Sequence, residues 1–334
     1  MPKIVFFNHY HRGDLLTHKE FIRQIKTEHP DFDYEYFHFN HPKLTRDLDI
    51  PKTGRPDTLN PKEPFYREED TLYVNTWIGC HWDIFCKYGG INMYSLWHSW
   101  DIIFNVINDQ FGLDLKLKEN KEFYLPTIDY SRFGIANIDD YLAKNTDKAK
   151  IILCNGPTKS GQSFNPNMKE QLETVAPQFK NIHFICTDKF ETDIENILFT
   201  DDIIADTEVS EQPAPWEDRA INTCDMPEIG YLSTKCEAIV GKNSGPFVFC
   251  ETKDNYMNPL KKFLSFNSSW GNAFHSDLPG TTETMSYDID YKCTYKIVMI
   301  GWSDDGKNKL DENVLNERDK TIIVNELTEL AESL

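Results

Sequence analysis

Basic residues are scarce in this chain: 35 Lys and Arg stand against 54 Asp and Glu, a formal net charge of −19 at pH 7. Phosphate backbones are held by clustered Lys and Arg, so this balance argues against a nucleic acid as partner. A small phosphorylated ligand remains open. A few N–H donors and one lysine can hold a diphosphate, because salt screens distant surface charge beyond roughly 8–10 Å. Long apolar runs are missing as well. No stretch reaches the ~18 consecutive apolar residues of a membrane-crossing helix. The first apolar run, Lys3 to Phe7, is too short for the core of a secretory signal and reads as a buried strand. Closely spaced cysteines are absent too. The 8 present, Cys80, Cys86, Cys154, Cys186, Cys224, Cys236, Cys250 and Cys293, are scattered singly. Some end apolar runs such as Ile151-Ile152-Leu153-Cys154, where a thiol behaves as a small hydrophobe. They are expected to be reduced, in a cytoplasmic protein. No internal repeat and no low-complexity tract occurs.

What the chain has is a globular composition, 40% hydrophobic and 13% aromatic, over 334 residues. That length suffices for two domains with separate cores. Strand and helix patterns alternate. Lys3 to Asn8 reads as a strand, and 17–28 as a helix with Phe21, Ile22 and Ile25 on one face. Thr17 with Glu20 has the spacing of a capping box. Asp33–Phe39 and Thr71–Trp77 read as strands, separated by a long exposed connection over 42–70. Ser95–Phe111 reads as a helix ended by Gly112, with Trp97 and Trp100 more at home in a core than on a sugar platform. A charged helix over 138–148 follows, and the alternation then restarts. Lys150–Cys154 is a strand, 166–179 a helix, Ile182–Cys186 a strand and Asp202–Asp206 a short strand. Met226–Cys236 is a helix, Ala238–Val240 and Lys296–Trp302 are strands, and Asp311–Leu334 is an amphipathic helix. Strands alternating with helices in both halves predict two doubly wound parallel sheets.

Two strand–turn–helix loops hold the residues suited to chemistry. In the first, the strand breaks into Asn8-His9-Tyr10-His11-Arg12-Gly13-Asp14; in the second, Ala238-Ile239-Val240 breaks into Gly241-Lys242-Asn243-Ser244-Gly245-Pro246. Each puts N–H groups at the carboxyl edge of a sheet, where open α/β folds bind ligands. One such edge in each half suggests two domains facing a cleft. Asp14 suits two roles: general base for a hydroxyl that must lose its proton, or cap of the following helix. His9 and His11, two positions apart, suit orienting an acceptor, local packing, or a metal pair that lacks partners. Ser244 and Gly245 offer a hydroxyl and N–H donors to a phosphate, or form a simple capped turn. Asn155, Lys159 and Ser160 follow the first strand of the second half and either reach the same anion or lie in a solvated loop. That stretch lacks the spacing of a P-loop. Cys80-His81-Trp82-Asp83-Ile84-Phe85-Cys86 has metal-ligand residue types without a zinc spacing.

With these loops, the chain resembles the GT-B glycosyltransferases, particularly the heptosyltransferase-like group. The group has a Gly-Asp pair after its first strand, matched by Gly13-Asp14, and a strand followed by Ser-Gly-Pro, matched by Val240 to Pro246. Pro227 to Leu232 and Cys236-Glu237-Ala238 resemble the lead-in to that loop. Asn243 stands where the group usually has Asp, and Phe247 to Glu251 replaces an alanine-rich helix. The resemblance implies two Rossmann-like domains, an acceptor-binding one over 1–140 and a nucleotide-sugar-binding one over 141–310. The terminal helix, 311–334, would pack back on the first. It further implies Asp14 as the base, Asn243, Ser244, Gly245 and Lys159 on the donor diphosphate, and Glu228 on the ribose. The activity implied is metal-independent, cofactor-free transfer of a sugar from a nucleotide-diphosphate donor to a carbohydrate hydroxyl. The alternatives are a nucleotide-sugar epimerase or hydrolase on the same scaffold, and a non-catalytic carbohydrate-binding protein.

Overall fold

The computed structural model describes residues 1–81, 96–156, 167–204, 209–210, 222–242, 244–267, 289–301 and 315–334. The chain divides into two compact units, the first built mainly on Met1–Arg132 and the second on segments from Phe133 onwards.

In the first unit, β1 (Lys3–Asn8), β2 (Asp33–His38), β3 (Lys52–Gly54), β4 (Phe65–Glu68) and β5 (Thr71–Asn75) form one sheet in the order β3-β2-β1-β5-β4. β1 runs parallel to both neighbours, pairing Lys3 with Asp33 on one side and with Thr71 on the other. Only β4 is antiparallel, at the edge. A central strand covered on both faces has no polar side, which is why Ile4 to Phe7 is an unbroken apolar run. The helix Leu96–Phe111 packs into this core: the Trp100 ring stacks on Phe21 at 5.0 Å, and Phe21 on Tyr124 at 4.2 Å. Gly112, at φ +67°, ends that helix in the left-handed region that glycine enters without a steric penalty.

Two local expectations change. The segment 42–70 is not an exposed connection, since it supplies β3, β4 and a 3₁₀ turn, Pro42–Leu48, with Leu44, Leu48 and Ile50 buried. The capping box does not form either. The helix Lys19–Glu28 starts after His18, the Thr17 hydroxyl donates to Asp14 O at 3.1 Å, and Glu20 instead accepts from Thr127 and pairs with Arg23.

The second unit begins with β6 (Ala149–Cys154), β7 (Ile182–Cys186) and β8 (Ile197–Phe199); the short antiparallel pair that follows in the chain, β9 (Val209–Ser210) with β10 (Asn222–Thr223), belongs to the first unit. Then come β11 (Ala238–Gly241), β12 (Lys262–Asn267) and β13 (Thr294–Met299). The main sheet is ordered β13-β12-β11-β6-β7-β8, and every pair in it is parallel. This is a doubly wound order: the chain moves outward from β6 in one direction, returns, and moves outward from β11 in the other. Of the short strand expected at 202–206, residues 205–206 lie outside the described residues, and the strand in this region is β8, just before it. Thr200–Ile203 is a helical turn whose first residues, Asp201 and Asp202, favour its positive end. The helix expected over 166–179 is described as Lys169–Val175 tightening into a 3₁₀ turn at Pro177, which has no N–H to continue it.

The terminal helix corrects a further expectation. Glu317–Glu332, capped by Asn316 accepting from Asp319 N at 2.7 Å, belongs to the second unit and buries its apolar face there. Ile323, Leu327 and Ala331 join Leu172 and Val175 in the core of the second sheet. Its stripe matches the uncovered side of that sheet, which needs a helix as any parallel sheet does. Among the described residues, no helix is long and apolar enough to cross a membrane.

Candidate functional site

Open α/β sheets bind ligands beyond the carboxyl ends of the strands, where the order of winding reverses. In the first unit that point lies between β1 and β5. Thr76 N donates to Phe7 O at 2.8 Å, carrying the pairing one residue past β5. Asn8, completely buried, closes the β1 end: Nδ2 donates to Thr76 O at 3.1 Å, and Oδ1 accepts from Tyr10 N at 2.8 Å to form an Asx turn. The turn delivers the chain into the helix Arg12–Thr17, whose cap position is taken by His11.

Asp14 is therefore inside the helix and does not cap it. Its Oδ2 accepts from Ile78 N at 3.2 Å, in the loop after β5. Only 6% of Asp14 is exposed. Burial pushes its carboxyl from 3.8 up to about 7, while the Ile78 N–H and the Asn8 amide pull the other way. Such a carboxyl exchanges a proton near neutral pH, the property a general base requires. Tyr36, whose hydroxyl meets Thr76 Oγ1 at 2.7 Å, is kept neutral by burial.

The two histidines differ. His9 is tied to the scaffold: Nε2 donates to Pro56 O at 2.8 Å, and the ring packs edge-on against Phe7 and Phe39. His11 is half-buried at the helix start, three residues from Asp14. Burial lowers the pKa of both, which favours neutral rings. Beside them, the half-buried rings of Tyr10 and Trp77 meet at 4.6 Å.

In the second unit the reversal lies between β6 and β11. Gly241 ends β11 because nothing larger fits: a Cβ there would sit 2.7 Å from Phe247 Cδ2 and 2.9 Å from Cys154 Cβ. Ser244 caps the short helix Gly245–Cys250 by position, yet its hydroxyl makes no capping bond. That hydroxyl is buried, 6% exposed, with no hydrogen-bond partner among the described residues. Gly245 abuts Met226, where a Cβ would stand 3.7 Å from Cε. Lys242 is buried in the same loop, and desolvation lowers its amine to about 8 against the pull of Asp188.

Two other candidates hold bonds within the second unit. The Asn155 amide exchanges bonds of 2.9 Å each way with the backbone of Asp188, tying the β6 and β7 loops together. Glu228 is completely buried and accepts from Gly134 N at 3.4 Å. Lys159, Ser160 and Asn243 lie outside the described residues, as do residues 82–86 of the Cys80–Cys86 stretch. Of that stretch, His81 is spent on Asn75 O at 2.8 Å and Ser99 Oγ at 3.1 Å. Sequence reasoning missed Asn8 and Lys242. The signal was present in both: a polar residue placed directly at the end of a buried apolar strand.

No family model matches the chain, and no curated protein matches it. Solved structures resemble it. The ADP-heptose LPS heptosyltransferase II of E. coli is 12% identical, with 99% of each chain covered and a TM-score of 0.42. A glycosyl transferase family 9 protein from Veillonella parvula is 10% identical over 100% of this chain and 98% of that one, with a TM-score of 0.43. S. aureus MnaA with UDP is 11% identical over 99% and 88%, with a TM-score of 0.39.

Proposed function

We propose that this chain is a cytoplasmic glycosyltransferase that moves a sugar from a nucleotide-diphosphate donor to a hydroxyl of a carbohydrate acceptor. The observation that carries the proposal is Asp14, a buried carboxyl poised near pH 7 at the winding reversal of the first sheet. As the acceptor oxygen attacks the anomeric carbon, its proton passes to Asp14 and the bond from that carbon to the diphosphate oxygen breaks. His11, three residues before Asp14 at the helix start and kept neutral by burial, is suited to orienting the acceptor.

The departing diphosphate carries the electron pair, and the second sheet's edge is suited to receive it. Lys242 supplies positive charge, and the unpartnered Ser244 hydroxyl and the N–H at Gly245 supply donors. The sequence resemblance suggests Lys159 and Asn243 as further diphosphate contacts, with Ser160 beside Lys159 in sequence. Donors fixed in place before the reaction stabilise developing charge by several kcal/mol at most, roughly 3–4 each. These groups can take the charge that a divalent ion would otherwise neutralise, so none is invoked.

The test is a thermal-shift panel of nucleotide-diphosphate sugars, followed by incubation of the best donor with and without carbohydrate acceptors. A shift with at least one donor and acceptor-dependent transfer is expected. Conversion of the donor without acceptor would point instead to an epimerase or hydrolase. No shift across the panel would leave a non-catalytic carbohydrate-binding protein.

A further inference from the structure

We infer that Trp77, backed by Tyr10, is the subsite that receives the acceptor's sugar ring beside Asp14, and that its indole selects acceptors presenting an apolar pyranose face. The inference deepens the glycosyltransferase reading and rests on it.

The carboxyl edge of the first sheet carries both rings. Tyr10 follows β1 and Trp77 follows β5, and their ring centroids stand 4.6 Å apart. Each backbone is fixed. Tyr10 N donates to Asn8 Oδ1 at 2.8 Å, and Tyr10 O accepts from the Asn40 amide at 3.2 Å. Trp77 N donates to Asn75 Oδ1 at 2.9 Å, and Trp77 O accepts from Cys80 N at 2.9 Å and His81 N at 3.2 Å. The indole folds back over its own chain: a Cβ at Gly79 would lie 2.4 Å from Trp77 Cζ2, so only glycine leaves the ring its place. Ile78, between the two, carries the N–H that holds Asp14. On the other side, the Tyr10 ring lies 5.9 Å from that of His11, at the start of the helix that contains Asp14. The aromatic surface thus belongs to both of the loops that hold the base.

Core filling does not account for this pair. Trp100, Tyr36, Phe21 and Tyr124 are the rings that fill the first core, and none is more than 1% exposed. Tyr10 and Trp77 are half-buried, at the edge where open sheets take ligands. A stiff ring held partly in water by a fixed backbone loses little freedom when a ligand covers the rest, which suits aromatic groups to binding sites. Its chemistry suits a sugar. A pyranose with equatorial hydroxyls turns axial C–H bonds toward an aromatic ring and keeps its hydroxyls near the ring plane. Stacking therefore sets the plane of the acceptor without consuming a hydroxyl, leaving one to pass its proton to Asp14.

The experiment is proton–nitrogen NMR of the tryptophan indole N–H groups in full-length protein, with Trp77→Phe assigning the Trp77 signal. Methyl β-D-glucopyranoside, whose hydroxyls are equatorial, is titrated to about 100 mM, with glycerol as a polyol that has no ring face. A saturable shift at Trp77 with the glucoside alone is expected. No shift at Trp77, or the same shift with glycerol, would overturn the inference. In the transfer assay, Trp77→Leu should raise acceptor KM roughly tenfold or more with kcat within about threefold, and Trp77→Phe should recover part of the loss. Donor affinity and the pH profile should stay as they are, which a general disturbance of the fold would not spare. An acceptor KM within about twofold, in a Trp77→Leu protein with a native amide spectrum, would refute the subsite and leave the transferase reading intact. A saturable Trp77 shift in a protein that transfers from no donor would uphold the sugar site and refute the transferase reading alone.

Discussion

The backbone N–H of Ile78 donates to Asp14 Oδ2 at 3.2 Å, joining two loops that are 64 residues apart in sequence. Two or three backbone N–H bonds can hold a carboxylate ionised to very low pH, but one, with an amide beside it, does not offset the desolvation of a group this deeply buried. The balance leaves Asp14 near neutrality, where a base is most useful.

The rate of transfer should follow that balance. Only the ionised form accepts a proton, so kcat/KM is expected to rise about tenfold per pH unit below 7 and to level above it. A profile already flat at pH 5 would contradict the assignment.

Glu251 makes a prediction about stability. It follows the helix Gly245–Cys250, is buried, and accepts from Tyr295 Oη at 3.1 Å. Burial raises its carboxyl from 4.5 to about 8. The unfolded chain sheds this proton near 4.5, so the folded state loses stability as pH climbs from there to about 8, by about 1.4 kcal/mol per unit. Above that window the loss stops growing. Glu251→Gln removes this contribution, so the variant should gain on the unaltered chain between pH 5 and pH 8 in urea midpoints. A constant difference across that range would refute the buried neutral acid.

Gly241 and Gly245 should respond differently to alanine. At Gly241 the added Cβ meets Phe247 and Cys154 below 3.0 Å, and neither contact is the free end of a flexible chain. Overpacking of this kind costs roughly 1–3 kcal/mol. At Gly245 the nearest atom is the flexible end of Met226 at 3.7 Å, so Gly245→Ala should change stability by less than about 0.5 kcal/mol. Denaturant unfolding of the two variants checks the pair.

Lys19 and Asp47 form an ion pair with both side chains fully buried. Asp47 Oδ2 also receives Asp129 N at 3.3 Å, so the carboxylate is built into the first unit. Lys19→Met leaves Asp47 with Arg23, 3.6 Å from its Oδ2, as its one cationic partner among the described residues, and should destabilise the unit by less than the ~3–5 kcal/mol of a fully stranded charge. Changing Lys19 and Asp47 together to apolar residues should recover part of the loss, as a double-mutant cycle would show.

Burial decides which of these features the sequence could reveal. β1, β6, β7 and β11 are covered on both faces, so each reads as an apolar run of strand length. β12 is also an inner strand, but Ser265 and Asn267 break its run and it opens on Lys262 after Lys261, so nothing marks it as a strand. β3 is three residues at a sheet edge with little apolar content. In the segment 42–70, Leu44, Leu48 and Ile50 are buried by a 3₁₀ turn, whose spacing fits neither the helical nor the strand period. The two reactive loops were legible as polar breaks after buried strands. What surrounds Asp14 was not, because Ile78 and Tyr36 arrive from other strands of the sheet. His9 and Asn155 show the complementary limit: residue type suggests chemistry, while their side chains are held by the backbone of Pro56 and Asp188.

The central claim is tested most directly by Asp14→Asn, assayed for donor binding by calorimetry and for sugar transfer at pH 7. The substitution keeps the shape and removes the basic oxygen. Donor affinity should stay within about twofold while transfer falls roughly 10²- to 10⁴-fold, the span of a general base. Turnover near that of the unaltered chain, with donor affinity intact, would contradict the claim.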